Sequence, residues 1–182
     1  MTIAGTLGQL LTRTTTEQMP PRALDHAAML ISSTIASAAL GSGISSSRII
    51  RALAKEQGGT AESSIWFDNG PKVPAANAAR VNALMSDAAA SDDSDLRGII
   101  HTGTTVASTS LAIAERTGAG GEEVLAAMVL GYETAGRIAE SVMPAFKQLP
   151  FHGSAVAIFG SAVACGRLLK LNERQMAQAI AI

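Results

Sequence analysis

Apolar residues recur at helical spacing along most of the chain. Thr2 to Thr12 places Ile3, Leu7, Leu10 and Leu11 on one face and predicts a short amphipathic helix. Pro20-Pro21 suits a helix's first turn, and the pattern then runs from Pro21 to Leu40 until Gly41-Ser42-Gly43 stops it. Its apolar positions (among them Leu24, Ala27, Leu30, Ile31, Ile35, Ala38) circle most of the axis, which predicts burial on several sides. Ser45–Ser47 reads as the N-cap region of a helix over Ser47–Gln57, closed by Gly58-Gly59. Ser63–Phe67 is the one strand-like run, and Asp68-Asn69-Gly70-Pro71 follows it as a turn that lets Lys72-Val73 return. Further helices are predicted from Pro74 to about Ala90, Val106 to about Arg116, Glu122–Val142 and Ser154–Leu169. A last one is capped by Asn172. The expected fold is all-α, an Ala-rich multi-helix domain with a small two-stranded β excursion near 63–73.

Composition supports this reading. The 182 residues include 34 alanines and are 47% hydrophobic but only 3% aromatic, so helices can approach closely across shallow side chains. A net charge of −1 provides no basic field for nucleic acid. One cysteine excludes an internal disulfide, and with three histidines it leaves too few soft ligands for a zinc site. No unbroken apolar run reaches the ~18 residues of a membrane span, and Met1–Arg13 lacks a cationic signal start. The expectation is a cytoplasmic protein with no membrane partner.

The segment Ser91–Thr104 breaks the helical rhythm and collects candidate chemistry. Asp92-Asp93 is an acidic pair between two apolar helices, suited to capping, to solvated loop charge or to acid/base work. His101 follows eight residues after Asp93, beside Thr102, Gly103 and Thr104, whose small side chains would let a ligand approach backbone amides. His152 precedes an Ala/Gly helix, where the helix N-terminus can hold a carboxylate and lower an imidazole's pKa. Two His and two Asp at the N-terminal ends of separate helices suit a small anionic substrate. His26 lies mid-helix and reads as structural, Cys165 as packing, and Tyr132 as a buried hydrogen-bonded phenol. Gly118–Gly121 follows a helix and lacks the Lys-Ser/Thr pair of a phosphate loop. On composition and spacing alone, enzyme and non-enzyme readings stand level.

Four ordered segments resemble the MmgE/PrpD family, which includes 2-methylcitrate dehydratase, cis-aconitate decarboxylase and iminodisuccinate epimerase. Leu30–Ser42 (LISSTIASAALGS) looks like the family's L-x-x-D-T-x-G-x-A-L-A-G helix. Asn82–Gly103 aligns without gaps to N-G-x-x-x-H-x-x-D-F-D-D-T-H-L-x-G-x-V-H-P-G. Glu122–Arg137 (EEVLAAMVLGYETAGR) is similar to its E-L-L-A-A-x-V-x-G-Y-E-V-x-x-R helix. Phe151–Lys170 (FHGSAVAIFGSAVACGRLLK) is similar to its G-F-H-x-T-x-x-x-G-x-x-G-A-A-x-A-A-x-L-L-G. The sequence departs from the pattern at Ala90 and Ser91, where the family has D-F, and at Ser94 and Asp95 for T-H. Thr102 replaces the proline after the histidine, and Ser33 replaces the helix Asp.

The resemblance implies that residues 1–182 are the N-terminal portion of the family's helical domain, without its lid domain and C-terminal part. It implies proton abstraction alpha to a carboxylate in a small di- or tricarboxylate, without metal or organic cofactor. His101 and His152 would serve as base and acid, oriented by Asp92 and Asp93, with Ser94, Thr102, Gly103 and Thr104 near substrate. Dehydratase, decarboxylase and epimerase outcomes all follow from one such site. A 2-methylcitrate dehydratase-like lyase leads on family frequency, the epimerase alternative gains from Ala90 and Ser94, and a non-catalytic subunit or interaction domain stays open. A homo-oligomer, or a complementary chain supplying a C-terminal part, is the expected partner.

Overall fold

The computed structural model describes residues 2–96, 98–142 and 153–181. Among the described residues eight α-helices carry the fold: α1 (Ile3–Arg13), α2 (Pro21–Gly41), α3 (Ser45–Gln57), α4 (Ala75–Ala88), α5 (Thr102–Thr117), α6 (Gly121–Val142), α7 (Ala157–Leu168) and α8 (Glu173–Ala181). Local signals account for most of their ends. Pro21 opens α2 at the first helical position, Gly118 closes α5 in the left-handed conformation, and Thr2 accepts a hydrogen bond from the Gly5 amide at the head of α1. Asn172 and Gln175 exchange side-chain-to-backbone hydrogen bonds, both 3.0 Å, at the head of α8.

The strand-like run forms a single antiparallel bridge, Ser63 to Val73, rather than a ladder. Side chains take the backbone groups that a longer ladder would use. The Trp66 amide donates to Asn82 Oδ1 at 2.9 Å, Asn82 Nδ2 donates to the Ser64 carbonyl at 3.1 Å, and the Ser64 amide donates to Glu115.

Helix α2 also differs from the expectation. Its buried residues, Ala27, Thr34, Ser37, Ala38 and Gly41, fall on one stripe facing α4, α5 and α6, while Met29 and Leu40 are exposed. Alanine made the sequence apolar all round without making every side a packing face. By length and composition alone this 21-residue helix is apolar enough to cross a bilayer, although Arg22, Asp25 and His26 interrupt its apolar run.

Helix α5 is the central element, in contact with α4, α7, α6 and α2, and most of its residues from Thr102 to Ala114 are buried. The most extensive contact joins α6 to α7, where two glycines bring the backbones together. A Cβ on Gly160 would stand 2.5 Å from the Gly131 carbonyl oxygen and 3.0 Å from Ala135 Cβ. Ala38, Ala78, Ala107, Ala126, Ala127, Ala157 and Ala164 are fully buried, so short side chains set the spacing through most of the core.

Candidate active site

The acidic pair and His101 meet where the loop after α4 returns to the head of α5. Helix α4 ends at Ala88, and Ala90 turns the chain with a φ of 49°. Residues Asp95 and Ile100 then pair in an antiparallel bridge, with Ile100 fully buried as its anchor. This turn brings Asp92 and Asp93 back onto residues 101–104.

Helix α5 begins at Thr102, four residues before the position expected from the sequence. His101 is its N-cap but makes no side-chain capping bond. Asp93 supplies the cap instead: its Oδ1 accepts the Gly103 amide at 2.9 Å. A carboxylate from another segment thus satisfies an orphan N–H at the positive end of the helix. Only glycine fits here, because a Cβ on residue 103 would lie 2.5 Å from Tyr132 Oη and closer still to Asp93 Oδ1. Tyr132, on α6, donates its hydroxyl to the other Asp93 oxygen, Oδ2, at 2.7 Å.

Burial raises the Asp93 carboxyl pKa above its ordinary 3.8; the bonds from Tyr132 and Gly103 oppose this, and the Asp92 charge adds to it. Burial, followed by the Asp93 charge, pushes the Tyr132 phenol upward, so Tyr132 stays a donor. A carboxyl raised in the fold makes its stabilising contribution below its unfolded pKa and loses it as pH rises through the folded one. Asp93→Asn keeps an acceptor for Gly103 without the buried charge. Wild type should therefore be most stable relative to Asp93→Asn near pH 4 and lose that margin as pH climbs. Thermal midpoints of both proteins from pH 4 to 8 check this, and parallel curves would contradict it.

Asp92 is only 3% exposed at its side chain, and its Oδ2 accepts from two donors. Thr104 Oγ1 donates at 2.9 Å and His101 Nδ1 lies at 3.0 Å. His101 Nδ1 also faces the Asp93 main-chain carbonyl at 3.1 Å. A carbonyl only accepts, so Nδ1 carries the proton and Nε2 of the neutral ring keeps a lone pair. The imidazole is 40% exposed, leaving it open to solvent and to a ligand. Carboxylate, imidazole and a nitrogen that keeps its lone pair form the arrangement in which a histidine takes a proton while its partner steadies the charge that develops.

Gly103 and Thr104 are buried and engaged with Asp93 and Asp92. Thr102 Oγ1 is buried without a hydrogen-bond partner among the described residues, and Ser94 is exposed. His152 lies outside the described residues. His26 is exposed on α2, its Nδ1 on the Arg22 carbonyl at 2.9 Å, and lines a cleft of about 400 Å³ with Pro20, Leu30, Met128 and Tyr132. Among the described residues no group of three or more His, Cys, Asp or Glu side chains is placed to hold a metal ion.

Compared with protein families, residues 5–182 match the model of the MmgE/PrpD N-terminal domain. The chain belongs to the MmgE/PrpD family. Proteins of this family are in general enzymes, dehydratases and epimerases among them. Among individual curated proteins the comparison found no match. In this MmgE/PrpD chain, sequence reasoning had singled out Asp92, Asp93 and His101, and it had read Tyr132 as a hydrogen-bonded phenol. It overlooked Ser86 on α4, whose Oγ lies 2.8 Å from Thr104 Oγ1. A buried serine in an Ala-rich helix gives no local signal, since its partner lies 18 residues away on another helix.

Proposed function

We propose that this MmgE/PrpD chain acts on a small di- or tricarboxylate by removing a proton alpha to a carboxylate, with His101 as the base. The observation that carries this reading is the pair of acceptors, Asp92 Oδ2 and the Asp93 carbonyl, that face His101 Nδ1. Nε2 then takes the proton from carbon, and the imidazolium formed sits against the Asp92 carboxylate. The electron pair left on carbon expels a β-hydroxyl as water after protonation, or recaptures a proton on the opposite face. The leading outcome is a 2-methylcitrate dehydratase-like elimination, with His152 as the acid. The epimerase alternative rests on Ala90 and Ser94, where the family pattern carries an aspartate and a threonine.

Incubation of the native assembly with 2-hydroxy di- and tricarboxylates and with amino- or iminodicarboxylates in D2O tests the proposal, followed by proton NMR. A new alkene identifies the dehydratase, and deuterium at carbon without loss of water or CO2 identifies the epimerase. Absence of both across the series overturns the proposal in favour of a non-catalytic subunit.

A further inference from the structure

The Asp92–His101 pair is not held by its own loop alone. Thr104 has one hydroxyl proton, and it goes to Asp92 Oδ2. The 2.8 Å contact between Thr104 Oγ1 and Ser86 Oγ must then have Ser86 as donor. Ser86 is fully buried on α4, and its own carbonyl accepts Ser37 Oγ from α2 at 2.6 Å. A one-way chain of hydroxyl protons therefore runs from α4 through α5 to the Asp92 carboxylate, anchored on α2. The geometry points to Ser86 and Thr104 as positioning residues that aim Asp92 at His101 and so, together with the Asp93 carbonyl, hold its proton on Nδ1.

This inference rests on the functional reading above for its purpose, and on three hydrogen bonds for its substance. A buried hydroxyl can be mere filling. Here each hydroxyl has a fixed donor role, and the chain ends on a desolvated carboxylate whose second partner is the imidazole. Neither hydroxyl is placed to meet substrate: Thr104 is 6% exposed and Ser86 0%. Buried polar chains of this kind fix the orientation of the group at their end.

The test reads the tautomer directly, by long-range proton–nitrogen correlation spectra of the full chain labelled with 15N in its imidazoles, at a pH where His101 is neutral. Wild-type His101 should show the Nδ1–H form; an Nε2–H form in wild type overturns the inference at once. Thr104→Val, close to isosteric, should shift the balance measurably toward Nε2–H, with the Asp93 carbonyl left to hold the Nδ1 proton; Thr104→Ser should restore the wild-type balance, and Ser86→Ala should fall between. A folded Thr104→Val or Ser86→Ala protein whose His101 keeps the wild-type balance also overturns it. With a turned-over substrate in hand, Thr104→Val should lower kcat about 10-fold at unchanged KM. The two readings fail separately. A tautomer balance shifted in Thr104→Val with no carboxylate turned over removes the catalytic proposal and keeps the positioning one, and turnover with an unmoved balance does the reverse.

Discussion

His101→Ala is expected to lower turnover of the carboxylate substrate by about 10²-fold or more, the range for removing a positioned general base. The loss should fall on kcat and kcat/KM together, because the ring does its work as the proton leaves carbon. The fold should survive: His101 is part-exposed, makes no side-chain capping bond, and the N-terminus of α5 is satisfied by Asp93. Asp92→Ala should lose activity in parallel, since it leaves Nδ1 only the Asp93 carbonyl and the imidazolium no carboxylate beside it. His26→Ala is the matched control. That ring is exposed on α2 and, among the described residues, is bonded only to its own helix, so the variant should turn over substrate at the wild-type rate. Near-normal kcat in His101→Ala would remove His101 from the chemistry.

The largest effect on stability is expected at the crossing of α6 and α7. Gly160→Ala forces a methyl against the Gly131 carbonyl at 2.5 Å and against Ala135 Cβ at 3.0 Å. The first contact is with backbone of an interior helix, so no side-chain rotation relieves it, and the two helices must move apart. Overpacking of this kind costs about 3 kcal/mol, which in a chain of this size lowers the thermal midpoint by roughly 6–12 °C. Gly43→Ala supplies the comparison, since a Cβ there enters open space and should change stability by no more than about 0.5 kcal/mol. Equal midpoints for the two variants would show that the α6–α7 approach is looser than described.

How much the sequence revealed depended on where each signal's partner lay. Pro21, Gly118 and Asn172 work within one turn of the chain, and the ends of α2, α5 and α8 were legible from them. The start of α5 was not, because Asp93, ten residues upstream, caps it through Gly103. The run Ser63–Phe67 has strand composition, yet Asn82 and Glu115 on α4 and α5 claim its backbone groups. Residue type could not foretell that competition. The buried face of α2 was equally hidden, since apolar and small residues spread around the axis leave little contrast between inside and outside.

For the site, the sequence supplied the chemistry and the fold supplied the pairing. Asp92, Asp93 and His101 were conspicuous as polar residues in an apolar chain, and the ordered motifs around them placed the chain in its family. That the two aspartates do different work came only from the structure: Asp93 caps α5 and accepts Tyr132, whereas Asp92 accepts Thr104 and His101. Which carboxylate meets the imidazole depends on how the turn at Ala90 and the anchor at Ile100 set Asp92 and Asp93 against α5 and α6. By itself the sequence determined the helices and the reactive groups, because helix formation and side-chain chemistry are local. The tertiary structure decided which carboxylate faces the histidine and which hydroxyls hold it, because a hydrogen bond depends on positions fixed by helices distant in the chain.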